Sequence, residues 1–204
     1  MILTKLVLDR RNPAVRQDLR DCQDLHRSLM RLFGEDRRGA GVLYRLRLND
    51  SSASVYLLSE DAPTGAPAAG MTIVGSCAMD EFFSEIAEGK RFGFDLLASP
   101  CKKVSAEGKK NSQRRILRTE EERRQWLAAK GAAGGFELLW VRESGQEHRL
   151  GSHDAASGGK FAVDGIHFCG ALRVTDPERF RASVREGIGP EKAYGMGMLL
   201  LRAE

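Results

Sequence analysis

The 204-residue sequence has no apolar run approaching the roughly 18 residues that cross a bilayer. Its hydrophobic residues, 42% of the chain, are therefore expected to fill a soluble core. The opening stretch MILTKLVLDRR meets Asp9 after a few apolar residues and has no small-residue cleavage site, unlike a secretory leader. The expected compartment is the cytoplasm. Cysteine is scarce: Cys22, Cys77, Cys101 and Cys169 are widely spaced and no C-x-x-C occurs. Such spacing suits neither a zinc site nor a disulfide framework, and fits free thiols in a reducing compartment. His148, His153 and Asp154 match no metal-ligand signature. The phosphate-loop order G-x-x-x-x-G-K-[ST] is also absent. No metal and no cofactor is expected.

What is present is a strongly uneven charge. Residues 102–118 (KKVSAEGKKNSQRRILR) hold seven Lys/Arg and one Glu, and the rest of the chain holds 25 basic against 27 acidic residues. The whole excess of +4 thus comes from one Gly/Ser/Asn-containing segment. A polyanion is the natural partner of such a patch, although a solvated loop gives the same pattern.

Periodicity predicts alternating strands and helices. MILTKLVLD has strand composition. Asn12 and Pro13 mark a turn or helix start. Leu25, Leu29, Leu32 and Phe33 follow one helical face, with Asp21 as N-cap and Gly34 as stop. Residues 42–48 and 54–59 alternate about NDSS, as a hairpin does. Residues 62–70 (APTGAPAAG) read as a linker, 80–89 as a short helix, and 90–100 as a strand stopped by Pro100. After the basic segment, Thr119 and Glu122 have capping-box spacing and open a helix through about Lys130. FELLWVRE (136–143) is a strand, 148–160 a polar glycine-rich loop, and 161–176 a strand with Ile166, Phe168, Leu172 and Val174 on one face. Asp176, Pro177 and Gly187 frame a last helix, and MGMLLLRA a last strand. With strand 91–99 shared or opening the second unit, each half reads β-α-β-β-α-β. The expected fold is α+β, two tandem ferredoxin-like domains over 1–90 and 91–204.

Three features carry candidate chemistry. GIGPEKAYGMGMLLL (187–201) places Gly187, Gly189, Gly195 and Gly197 around Lys192. One glycine would serve a tight turn; four favour close approach of a phosphodiester. His26 lies at the edge of the Leu25/Leu29/Phe33 stripe, as a half-buried structural residue or as an acid-base group. Arg149, His153 and Lys160 occupy one polar loop, where solvation is the ordinary fate of such residues. KRFGFDLL is similar to an RNA-recognition aromatic motif, but Asp95 and the missing partner strand favour Phe92 and Phe94 as core.

Taken together, these stretches resemble the CasE family of the RAMP superfamily, the CRISPR repeat-processing endoribonuclease of the Cascade complex. GIGPEKAYGMGMLLL is similar to the family's C-terminal G-(I/V)-G-P-x-K-(A/S)-x-G-x-G-L-L-S pattern. LTKLVLD with DLHRSLMRLF resembles its opening strand and L-H-x-x-L helix, and FGFDLLASPCKK and GGKFAVDGIHFCGALRVTD resemble two internal strands, collinear from residue 2 to 201. The resemblance implies a metal-independent endoribonuclease that binds the hairpin of CRISPR repeat RNA and works with other Cascade subunits. In it a 2′-hydroxyl attacks the adjacent phosphate, giving a 2′,3′-cyclic phosphate. It also implies that His26 is catalytic. The family often has a tyrosine where this chain has Gln23, and a loop lysine where ungapped counting gives His153. The implied catalytic set is therefore His26 with Lys160 or His153, or Arg149 as the cation. The expected RNA contacts are Gln23, Arg27, Lys102, Lys103, Lys109, Lys110, Arg114, Arg115, Arg118, Arg149, Gly187, Gly189, Lys192, Gly195 and Gly197. The alternatives are a subunit that holds repeat RNA without cutting, and a small-molecule enzyme on the same scaffold, which the basic segment disfavours.

Overall fold

The computed structural model describes residues 1–34, 41–49, 52–104, 113–153 and 159–204. Strand β1 (Ile2–Leu8) alternates inward and outward side chains and leads to α1 (Pro13–Arg20), whose N-cap Asn12 accepts a hydrogen bond from Ala14 N. Helix α2 (Cys22–Met30) starts at Asp21, whose carboxylate accepts the N–H groups of Gln23 and Asp24. Its stripe is buried as the periodicity predicts: Leu25 and Leu29 are 2% and 0% exposed, each contributing about 1.5–3 kcal/mol of apolar burial. A 3₁₀ turn over Arg31–Phe33 ends at Gly34 with φ 63°.

The hairpin strands β2 (Leu43–Leu48) and β3 (Ala53–Ser59) follow, then β4 (Met71–Ala78) and the short α3 (Asp80–Ser84). The first sheet is antiparallel in the order β2-β3-β1-β4. Strand β4, not the 91–99 segment, closes it. Beyond Met71 this edge strand is largely exposed, so it lacks the alternation that marks a half-buried strand. No helix separates β3 from β4; residues 60–70 run as an irregular connection.

Strands β5 (Arg91–Ala98), β8 (Phe136–Ser152), β9 (Lys160–Val174) and β10 (Leu199–Ala203) form the second sheet, in the order β10-β5-β9-β8. Helices α4 (Glu120–Ala133) and α5 (Pro177–Glu186) connect them, and α4 begins with the complete Thr119–Glu122 capping box. Both sheets have the strand order of a ferredoxin-like unit. Between β5 and α4 the chain inserts a separate hairpin, β6 (Cys101–Val104) and β7 (Gln113–Ile116). Phe92 and Phe94 are buried at 1% and 6% and belong to the core rather than to a stacking surface. That core also takes Leu43 and Leu58 from the first sheet and Phe83 and Ile86 from the segment between the sheets.

The 148–160 segment departs from expectation. Through Ser152 it is strand, paired residue by residue with β9, from His148↔Asp164 to Ser152↔Lys160. Gly151 lets this happen, because a Cβ there would lie 2.3 Å from the ring of Phe161. The ladder carries β8 and β9 past their sheet to α2: Asp21 hydrogen-bonds Ser152 through side chain and backbone.

Candidate RNA-cleaving cleft

Gln23, His26, Arg27 and Met30 stand at i, i+3, i+4 and i+7 of α2, so one helix face presents all four. With Gly41, Val42 and Ala193 they line a cleft of about 480 Å³. His26 is half-buried, and its Nδ1 is buried without a hydrogen-bond partner among the described residues. Burial and the adjacent Arg27 charge hold its pKa below the ordinary 6.5, so the imidazole is neutral at pH 7. A neutral imidazole beside a cation is equipped to accept a proton. Arg27 is paired with Asp24 at 3.0 Å.

The opposite wall comes from the other end of the chain. A short 3₁₀ turn over Lys192–Tyr194 brings Tyr194 beside α2. Its hydroxyl donates to Gln23 Oε1 at 3.2 Å, and its ring meets that of His26 edge-on at 6.5 Å. Phe161 packs on Tyr194 at 5.0 Å, and His153 on Phe161 at 4.7 Å. The array His26–Tyr194–Phe161–His153 thus joins α2, the C-terminal loop and the tip of the β8–β9 hairpin. Lys160 is exposed at that tip, opposite Ser152, which binds the N-cap of α2.

The C-terminal loop is held from behind. Tyr44 Oη donates to Ala193 O at 3.0 Å, and Arg149 Nη1 to Tyr194 O at 2.5 Å. Arg149 also binds Glu147 Oε2 through Nε (2.9 Å) and Nη2 (2.5 Å), while His167 Nε2 lies 2.6 Å from Glu147 Oε1. His167 Nδ1 lies 2.8 Å from Arg45 Nη2, which also binds Asp95 at 3.0 Å. An arginine only donates, so Nδ1 accepts and Nε2–H donates to Glu147; the ring is a neutral bridge. Burial would raise the Glu147 carboxyl, but the His167 and Arg149 donors outweigh it and bring the pKa down to about 2. Arg45, 2% exposed, is lowered by burial to about 10.

This corrects the expectation for Arg149. Its guanidinium is committed to Glu147 and to the Tyr194 carbonyl, so it supports the loop rather than offering a charge to the cleft. The four glycines are corrected in part. All have positive φ, and the close approaches they make here are to the chain itself. A Cβ on Gly195 would stand 2.6 Å from Arg149 Nη1 and 2.7 Å from the Tyr44 ring.

On its other side the loop borders a second hollow of about 680 Å³, lined by Gly187, Gly189 and Lys192 with Arg114, Trp126 and Lys130. The β6–β7 hairpin adjoins it and sets like charges opposite each other across its strands, Lys102 with Arg115. Like charges directly opposite destabilise a hairpin, which a polyanion relieves. Arg114 also meets Glu191 at 3.3 Å and Lys102 meets Glu122 at 3.5 Å; Arg115 and Arg118 are exposed. Lys109, Lys110 and Asp154 lie outside the described residues. Reading the sequence missed Tyr194, Trp126 and the Glu147–His167–Arg45 network. The first was visible only as an aromatic residue inside the glycine motif.

A family model described as CRISPR associated protein matches residues 1–203. The chain belongs to this family. Its similarity to the CRISPR-associated endoribonuclease Cse3 of Thermus thermophilus is 32% identity over 98% of both chains. Among solved CRISPR-associated structures, a CRISPR endoribonuclease Cse3 bound to 19-nt RNA aligns with TM-score 0.84 and 30% identity, over 99% of this chain and 100% of that one. A chain of a CRISPR RNA-guided surveillance complex aligns with TM-score 0.75 and 25% identity, over the whole of both chains.

Proposed function

We propose that the protein is an endoribonuclease that binds the hairpin of CRISPR repeat RNA and cuts precursor CRISPR RNA at its base. It would act in the cytoplasm beside the other subunits of a Cascade-type complex. The observation that carries the reading is the cleft itself: a neutral, half-buried His26 with Gln23, Arg27 and Tyr194 around it, in a chain matched end to end by an endoribonuclease. We read residues 1–90 and 91–204 as the two functional halves, the first supplying the histidine and the second the loop and the basic hairpin.

His26 takes the proton of the ribose 2′-hydroxyl. The 2′-oxygen forms a bond to phosphorus, the bond to the 5′-oxygen breaks, and that oxygen takes a proton from water as it leaves. The products are a 2′,3′-cyclic phosphate and a 5′-hydroxyl. Lys160, with Arg27, supplies positive charge to the pentavalent phosphorus; His153 is the alternative at the same hairpin tip. The hairpin stem is held by its phosphates, because A-form RNA hides its base edges in a deep, narrow groove. Lys102, Lys103, Lys109, Lys110, Arg114, Arg115, Arg118 and Lys192 are the proposed phosphate contacts, with the loop glycines beside them.

The test is cleavage of the host's own repeat RNA in EDTA by the native protein and by His26→Ala. The expected result is a single cut with a cyclic phosphate end, slowed about 10²- to 10⁴-fold in the variant at unchanged hairpin affinity. A native protein that binds tightly without cutting would instead support a holding subunit, the reading that Gln23 in place of a phenol favours.

A further inference from the structure

We infer that Tyr194 is a positioning residue of the cleavage reaction: its phenol captures the carbonyl end of the Gln23 carboxamide and thereby turns the amide N–H groups toward the phosphate under attack. This rests on the nuclease reading above and adds a residue from the opposite end of the chain.

An unrestrained glutamine amide rotates and offers a donor or an acceptor with similar ease. Here Tyr194 Oη donates to Gln23 Oε1 at 3.2 Å, which settles the choice. The Nε2 group has no protein partner among the described residues, and Gln23 lines the cleft with His26. A phosphate passing through pentavalent geometry gathers charge on its non-bridging oxygens, where fixed N–H donors act.

The way Tyr194 is held points to a group whose position matters. Two successive carbonyls, Ala193 O and Tyr194 O, are gripped by Tyr44 Oη and Arg149 Nη1, which come from different sheets. The turn is bracketed by left-handed residues, Glu191 at φ 62° and Gly195 at φ 77°. Glu191 is the only non-glycine residue with positive φ among the described residues; such backbone is kept where its surroundings enforce it. The ring is wedged between Phe161 and His26. Burial and the nearby Cys22 and Glu191 raise the phenol's pKa above its ordinary 10. It therefore remains a donor throughout the neutral range and does not act as a base.

The experiment is single-turnover cleavage of the repeat RNA in EDTA by native protein, Tyr194→Phe, Gln23→Leu and the double variant. Hairpin affinity, thermal melting and rate against pH are measured on each. Tyr194→Phe keeps the ring contacts and removes only the hydroxyl. It should slow cleavage about 10- to 100-fold, with affinity and melting unchanged and the acid limb of the pH profile in place. The double variant should be no slower than Gln23→Leu alone, because the phenol acts only through the amide. Gln23→Glu gives an independent arm: it keeps an oxygen for the phenol, loses the amide donors, and should cut at least as poorly as Gln23→Leu. Native rates in Tyr194→Phe or Gln23→Glu, multiplying effects in the double variant, or a loss that tracks hairpin affinity would each overturn the inference. A native protein that does not cut at all overturns the nuclease reading and this inference together; a native protein that cuts beside an unaffected Tyr194→Phe overturns this inference alone.

Discussion

Glu147→Gln should cost about 2 kcal/mol of stability at neutral pH, and the cost should disappear in acid. The carboxylate receives two N–H bonds from Arg149 and one from His167, and its pKa falls from 4.5 to about 2. A fall of that size between unfolded and folded chain corresponds to about 3 kcal/mol at pH 7. The side chain is 30% exposed, and solvent screening reduces the figure to about 2 kcal/mol. The sign follows from the direction of the shift. A carboxyl lowered by folding stabilises fully above pH 4.5, and that contribution is lost as pH falls toward 2. Glutamine keeps the shape but cannot accept from both arginine nitrogens and the imidazole as an anion does. Urea unfolding of both proteins at pH 7, 5, 4 and 3 reads the difference directly. The expected gap is near 2 kcal/mol at pH 7 and 5, with melting lower by about 4–8 °C, and it is roughly halved at pH 3 on its way to vanishing near pH 2. A gap under about 0.5 kcal/mol at pH 7, within the range of ordinary surface substitutions, would refute the reasoning, as would a gap indifferent to pH.

Two further outcomes follow from the cleft and from the basic hairpin. Because burial and Arg27 lower the His26 pKa below 6.5, the cleavage rate should be flat around neutrality and fall only as pH drops through a midpoint below 6.5; a midpoint above 6.5 in single-turnover rates contradicts a neutral resting base. Lys102→Ala and Arg115→Ala should each reduce the slope of log affinity against log salt by about one, as expected for one phosphate contact removed. Fluorescence anisotropy on the repeat hairpin measures it, and an unchanged slope removes that residue from the interface.

Helix ends and buried strands were legible in the sequence because the information is local. Asp21, Thr119, Glu122, Asp176 and Pro177 satisfy backbone groups a few residues away, and Ile166, Phe168, Leu172 and Val174 alternate because one face is dry. Strand β4 was not legible, since an exposed edge strand with a register shift opposite Lys5 and Leu6 shows no period. The end of β8 was hidden by glycines and polar side chains, whose pairing with β9 rests on the backbone ladder and shows no apolar alternation. In the cleft, His26 was visible through its motif, whereas Tyr194 meets Gln23 across 171 residues, and no spacing rule spans that distance. Arg149 looked like a free cation because its partners, Glu147 and the Tyr194 carbonyl, form a site only after folding.

That long separation has a consequence for the protein's birth. His26 is translated long before Ala193 and Tyr194, which complete its cleft. Contacts of this range form late in folding, after the local ones. A growing or truncated chain that ends before Ala193 therefore carries the histidine helix but no assembled cleft. The order of translation thus leaves His26 without its facing wall until the glycine loop has been made.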